Sequence, residues 1–218
     1  MSLIIKFLID NGYTIFYMDT DSLFIDRALP DYFVSKTELG KYKLEHIYKE
    51  AVFLAPKAYY LDLGITEKPI IKIKGLNKEA VNMAMETELT FFQFYNLLYK
   101  DSTQNIKQTK WFKNLSQGSI EILEQSYEIK HNHNKRKLVF INNILVSTKP
   151  YILPIVLTIK QDNFIRCGYY GGVTDYYKAY GENLYYYDVN SLYPFAMLNN
   201  MPLNIIKTYN HVHAKLRI

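Results

Sequence analysis

Two short acidic segments carry residue types that could do chemistry. Tyr17-Met18-Asp19-Thr20-Asp21-Ser22 places two carboxylates one residue apart between the apolar runs Thr14–Tyr17 and Leu23–Ile25. The pattern predicts a β-hairpin with its acids at a tight turn. In a strand, residues i and i+2 share a face, so Asp19 and Asp21 can point the same way. Like charges held that close call for a cation, and hard oxygen donors suit Mg²⁺. Near the other end, Leu184-Tyr185-Tyr186-Tyr187-Asp188-Val189 reads as a second strand ending in an acid, followed by Asn190-Ser191-Leu192-Tyr193-Pro194. Carboxylates on two adjacent strands are what two-metal phosphoryl transfer requires: cations about 3.5–4 Å apart that activate the attacking oxygen and neutralise the leaving group.

The elements that must position these acids can be read from periodicity. Apolar residues at 3, 4, 7 and 8 predict an amphipathic helix over 2–11, with Asn11-Gly12 as its C-cap, leading into a hairpin over 13–26. Leu29-Pro30-Asp31 is a turn, 38–45 a turn into an extended segment, and 46–61 one or two strands. Ile70–Leu76 alternates apolar and basic residues as a half-buried strand does. Residues 78–100 read as helix-rich, 101–109 as a polar linker, and 119–149 as a β meander with a basic loop at 131–137. A strand over 184–188 and a turn into a helix over 190–199 complete the series. The expected class is α+β.

The chain has 218 residues, 49% of them hydrophobic, enough for a core in one large or two small domains. A net charge of +5 and a pI near 9.0 favour an anionic partner, nucleic acid first. The 21 tyrosines beside basic residues suit stacking on bases, although most are expected to be structural. A lone cysteine, Cys167, excludes an internal disulfide framework and a cysteine-based zinc site. His131-x-His133 and His211-x-His213 have the spacing of zinc ligands on a strand, but neither pair has a carboxylate or orienting partner nearby; a polar loop and a tail are the expectation. No apolar run reaches transmembrane length. The first ten residues lack a basic leader and a small-residue cleavage site, so neither secretion nor an import signal is expected.

These segments resemble the family B DNA polymerases, in the protein-primed branch of phages and linear mitochondrial plasmids. Residues 17–22 match that family's motif C, Tyr-x-Asp-Thr-Asp-Ser, and residues 188–194 its motif A, Asp-x-x-Ser-Leu-Tyr-Pro. Lys57-Ala58-Tyr59 is similar to the Lys-x-Tyr motif, and Tyr169-Tyr170-Gly171-Gly172 to the Tyr-x-Gly-Gly motif. The family order places Tyr-x-Gly-Gly and A before C and Lys-x-Tyr; here the two halves are exchanged. No motif B, the fingers lysine helix with Asn-Ser-x-Tyr-Gly, and no exonuclease motif is found.

The resemblance implies a polymerase palm with an acidic hairpin and flanking helices. Residues 1–74 and 153–218 would form its two pieces, with 75–152 a thumb-like segment and no fingers or exonuclease domain. It implies two Mg²⁺ ions at Asp21, Asp188 and the Val189 backbone. Asp19 would be a supporting carboxylate that either binds metal or organises the turn. Ser191, Leu192 and Tyr193 would meet the nucleotide, the Tyr193 ring beneath the sugar rejecting a 2′-hydroxyl. Lys57 and Tyr59 would steady the primer end, Tyr169, Gly171 and Gly172 would approach the template, and Lys72 and Lys74 would follow a DNA backbone. The implied partners are primed template DNA and deoxynucleotides, a terminal priming protein or a fingers-bearing fragment, and no membrane. The implied location is the mitochondrion. Three readings stay open: a polymerase fragment of doubtful activity on its own, one half of a split polymerase, and a non-catalytic DNA-binding remnant.

Overall fold

A computed structural model describes residues 2–64, 67–85, 87–114, 116, 118–132, 136–150 and 173–198. Helix α1 (Ser2–Asp10) forms where the apolar spacing predicts it and stops at Gly12, whose φ of 69° is left-handed. Strands β1 (Ile15–Asp19) and β2 (Ser22–Ile25) are the expected hairpin. A 3-10 turn (Asp31–Phe33) leads to the long strand β3 (Tyr42–Ala55), then β4 (Ala58–Asp62) and β5 (Ile70–Ile73). Much later in the chain come β10 (Thr174–Tyr176), β11 (Tyr180–Val189) and the last described helix, α4 (Leu192–Met197).

These strands build one seven-stranded sheet in the order β10-β1-β2-β11-β3-β4-β5, each neighbouring pair antiparallel. Strand β11 sits between β2 and β3, which are neighbours in sequence. Asp188 lies opposite Ser22 on one side and Lys43 on the other. The exchanged order of the two acidic segments therefore does not keep their strands apart, since adjacency in a sheet does not require adjacency in sequence.

Alternation along β1, β2 and β11 divides their side chains between two packing clusters. Met18, Leu23, Ile25, Tyr187 and Val189 pack with Ile4 and Leu8 of α1. Tyr17, Phe24 and Tyr186 turn the other way, into an aromatic cluster with Tyr48, Phe53 and Tyr59. Phe24 stacks on Tyr186 at 4.5 Å between ring centroids, and Tyr17 on Phe53 at 5.2 Å. Asp19, Ser22 and Asp188 belong by parity to the aromatic side, at the end of the strands where the rings stop.

The helix-rich stretch forms as two short helices, α2 (Lys78–Ala84) and α3 (Phe91–Asn96), and two other expectations are corrected by the structure. Asn77 caps the first; a Thr90–Gln93 capping box starts the second, which is why the helix does not run through. The segment read as a polar linker enters β6 (Gln104–Asn114) at Gln104, and β6 pairs along its whole length with β7 (Ser119–Ile129). The predicted meander over 119–149 is instead the second half of that ribbon plus a separate hairpin of β8 (Arg136–Ile141) and β9 (Ile144–Pro150). The second hairpin is tied to the main sheet by the Thr148 hydroxyl, which donates to the Tyr176 carbonyl at 2.7 Å, and to the residues after α3 by the Leu145 N–H, which donates to the Leu98 carbonyl at 2.7 Å.

Candidate active site

The turn joining β1 to β2 is tight. Asp19 pairs with Ser22, leaving Thr20 and Asp21 as the loop. The Asp21 N–H donates back to the Asp19 carbonyl at 2.7 Å, and Thr20 sits at φ 59°. A β-branched residue in the left-handed region is strained, and such strain persists only where neighbours enforce it. Here the Thr20 N–H donates to the Val173 carbonyl at 2.8 Å, and the Ser22 hydroxyl to the Asp19 carbonyl at 3.2 Å. Strand β10 thus clamps the turn from the outer side.

Both oxygens of Asp19 are engaged. Lys57 Nζ lies 2.6 Å from Oδ2, and the Thr174 hydroxyl donates to Oδ1 at 2.6 Å. Burial opposes ionisation of Asp19, but the Lys57 and Thr174 hydrogen bonds outweigh it and hold the carboxyl below its usual range, with the charge of Lys72 adding to this. Lys57 occupies the β3–β4 turn at φ 62°, its N–H donating to the Tyr17 hydroxyl at 3.1 Å. Tyr59 packs edge-on against Tyr17 at 5.4 Å, and burial pushes its phenol up to about 12. Lys72 lies opposite Tyr59, and the Lys74 N–H donates to the Lys57 carbonyl at 2.9 Å. The charges of Lys57 and Lys72 therefore act on Asp19, and Lys74 is joined to Lys57 through its backbone.

Asp188 has the opposite surroundings. Burial, then the charge of Asp21, then that of Glu45 push its carboxyl above the usual range; the Val189 N–H and Lys43 pull it down only in part. Asp21 also acts on the buried Tyr42 phenol, which is raised by burial first and by the two aspartates second. The predicted acids thus fall into two groups. Asp19 is neutralised by a lysine, while Asp21 and Asp188 face each other's charge across paired strands. Among the described residues no three His, Cys, Asp or Glu side chains are grouped to hold a metal.

The segment after Asp188 is held by the predicted turn at 38–45 together with Ser35 before it. The Gly40 N–H donates to the Asn190 carbonyl, the Asn190 N–H to the Lys41 carbonyl, and the Asn190 amide to the carbonyls of Ser35 and Glu38. Gly40 has φ 79°, and a Cβ there would lie 2.7 Å from the Phe195 ring, so glycine is required. Ser191 is left-handed at φ 47° and starts α4 without a side-chain cap. Val189 is buried against the α1 cluster, whereas Tyr193 is 66% exposed. Tyr169, Gly171 and Gly172 lie outside the described residues, as do Cys167, His133, His211 and His213. The Nδ1 of His131 contacts the Leu97 carbonyl at 3.0 Å, a structural partner.

Sequence reasoning missed Thr174, Glu45, Lys43 and Tyr42. Thr174 follows the Tyr-x-Gly-Gly stretch by two residues, and only the sheet register shows that it meets Asp19. Glu45 and Lys43 reach Asp188 because of a register shift in β3. The alternating charges of Lys41-Tyr42-Lys43-Leu44-Glu45 are the one signal that could have drawn attention to them.

An antiparallel α+β sheet with an aspartate turn beside a second aspartate strand does not by itself define a function, and comparison with known proteins supplies the family. Residues 67–216 match the family described as DNA polymerase type B, organellar and viral, and the chain belongs to that family. It is 36% identical over 149 residues to a probable DNA polymerase of Podospora anserina and 31% identical over 157 residues to one of Ascobolus immersus. Each alignment covers 66% of this chain and 12% of the relative. A probable DNA polymerase of Agaricus bitorquis is 48% identical over 50 residues, covering 22% of the chain and 6% of that protein. The chain thus spans a small part of the length of these relatives. No solved structure matches it.

Proposed function

We propose that the chain is the palm of a DNA-directed DNA polymerase, built to extend a primer 3′-hydroxyl on template DNA with deoxynucleotides. The observation that carries this reading is the pairing of β2 with β11, which sets the Asp21 charge beside Asp188. The donor set fits a divalent cation: two hard carboxylates whose mutual repulsion a metal would relieve, Asp188 being raised by burial first and by the Asp21 charge second. Asp21 and Asp188, with the Val189 backbone, would hold Mg²⁺, which when bound supplies activation of the primer hydroxyl and neutralisation of the departing pyrophosphate. Asp19 organises the turn and positions Lys57 instead of ligating.

Lys57, Lys72 and Lys74 offer positive charge to the primer backbone, and Tyr59 braces Tyr17 beneath them. Ser191, Leu192 and Tyr193 flank the nucleotide, where the exposed Tyr193 ring would exclude a 2′-hydroxyl. In this reading residues 1–74 and 153–218 are the two palm pieces, 75–152 is the thumb-like part, and the protein works in the mitochondrion with fingers or a priming protein supplied elsewhere. The cationic row around Lys57 favours a second reading, DNA binding without catalysis, which predicts steep salt dependence and no metal requirement.

Primer extension by the purified chain on a short primed template tests the first reading, with Asp188→Asn and Asp21→Asn alongside. Extension that both substitutions abolish supports it. Salt-sensitive DNA binding with no extension by the folded wild type sinks the catalytic reading and leaves the second.

A further inference from the structure

Strand β3 carries a bulge at the site. Tyr186 pairs with His46 and Tyr187 with Leu44, so Glu45 is an extra residue with no partner on β11. Bulges of this kind re-aim side chains. Here the bulge leaves Lys43 directly opposite Asp188, with Glu45 beside it. Lys43 Nζ is held by both Glu45 oxygens, at 3.0 and 3.1 Å. The other lysines near the site are committed differently: Lys41 pairs with Glu38 at 3.0 Å, and Lys57 with Asp19. Tyr42 is buried and its phenol stays neutral, so it brings no charge. Lys43 therefore stands opposite Asp188 with its ammonium on Glu45, and its charge opposes the rise that burial, Asp21 and Glu45 impose on the Asp188 carboxyl.

We propose that Lys43, tethered by Glu45, is a built-in counter-cation of the Asp21–Asp188 pair, one that a divalent ion must overcome, so that Lys43 sets how much metal the site needs. The inference rests on reading those carboxylates as a metal site. A positive charge one cross-strand position from a ligand lowers the affinity for a second positive charge, and it also protects the metal-free sheet from carboxylate repulsion. Metal binding then becomes an exchange of one cation for another.

The test needs no turnover. Mn²⁺ binding to the full chain is measured from the loss of the free-ion EPR signal, and melting temperature is recorded with and without Mn²⁺. Lys43→Met keeps the aliphatic stem and removes the charge, Lys43→Gln is a second neutral variant, and Lys43→Arg keeps the charge. The neutral variants should bind Mn²⁺ more tightly, by up to about tenfold. They should also melt lower without metal, gain more on adding it, and differ from Lys43→Arg, which should follow wild type. Asp188→Asn separates the two levels of the argument. If it binds Mn²⁺ as wild type does, there is no carboxylate-dependent site, and the metal reading falls together with this proposal. If its binding is lost but the neutral Lys43 variants bind no more tightly than wild type, only the role of Lys43 is overturned.

Discussion

The centre of the main sheet and the β6–β7 ribbon are both antiparallel pairings with long registers, yet they are held in different ways. In the centre, Leu23 and Ile25 are fully buried and Phe24 nearly so, with α1 on one side and the aromatic cluster on the other. In the ribbon, Trp111, Ile120, Ile122 and Leu123 are exposed, and much of the strand is polar. Pairing and burial are therefore separable. Burial fixes the centre rigidly enough to hold strained and charged groups at its end, whereas the ribbon is anchored only at its base, by Ile106 and Ile129, and beyond that relies on its backbone ladder and weak cross-strand pairs. The chemistry sits where burial ends, on the rigid region.

The largest effect that could break this contrast is at Phe24. Its ring contacts Tyr186, Tyr48, Tyr17 and Phe53. Phe24→Ala should cost about 3–5 kcal/mol in urea unfolding, as emptied aromatic sites in cores do. A loss below about 1 kcal/mol would mean the cluster is not packed, and the centre would be no firmer than the ribbon.

Next is the ion pair at the turn. Lys57→Met leaves a largely buried carboxylate, Asp19, without its cation; with Lys57 itself partly exposed, the cost should be about 1–2 kcal/mol at neutral pH. The sign with pH follows from the lowered Asp19. Its contribution is fully present above the unfolded carboxyl value, about 4, and is lost as pH falls through the lower folded value. The gap between wild type and Lys57→Met should therefore close in acid. A gap that stays constant from pH 7 to pH 2 would show that Lys57 acts through packing alone.

Asp188 should behave in the reverse sense. Its carboxyl is raised, so ionisation costs stability at neutral pH, and wild type gains stability as pH falls through the raised value. Asp188→Asn should be the more stable chain at pH 7 without metal, by no more than about 1 kcal/mol given its partial exposure. The advantage should vanish in acid. An Asn variant less stable than wild type at pH 7 would show that Asp188 is held by favourable contacts, not strained by like charge.

The sequence is legible where burial imposes a pattern. The β1–β2 hairpin, α1 and the tyrosine-rich β11 announce themselves through apolar alternation or helical spacing, and the acids stand out against it. The insertion of β11 between β2 and β3 is not legible, because strand order in a sheet is a tertiary choice. Nor is the Thr174–Asp19 contact, which joins residues 155 apart in sequence. The bulge that brings Lys43 and Glu45 to Asp188 depends on a register shift that no local pattern marks. Strand β6 is half-hidden for a different reason: its first inward positions are Ile106 and the polar Gln108, so burial alternates there without an alternation of polarity, and its beginning reads as a linker.

The smallest expected effect sharpens the contrast from the ribbon side. Trp111 is the chain's one tryptophan, is 71% exposed and lies opposite Ile122. Trp111→Ala removes a single cross-strand pair and should change stability by about 0.5 kcal/mol or less, since such pairs contribute roughly 0.2–1 kcal/mol and both side chains stay in water. The indole gives its own check before any substitution is made. Its fluorescence should be red-shifted and readily quenched by iodide in the folded chain, and should change little on unfolding. A blue-shifted, protected indole, together with a loss above about 2 kcal/mol in the alanine variant, would mean that the ribbon face is covered and is as much part of the packed structure as the sheet centre.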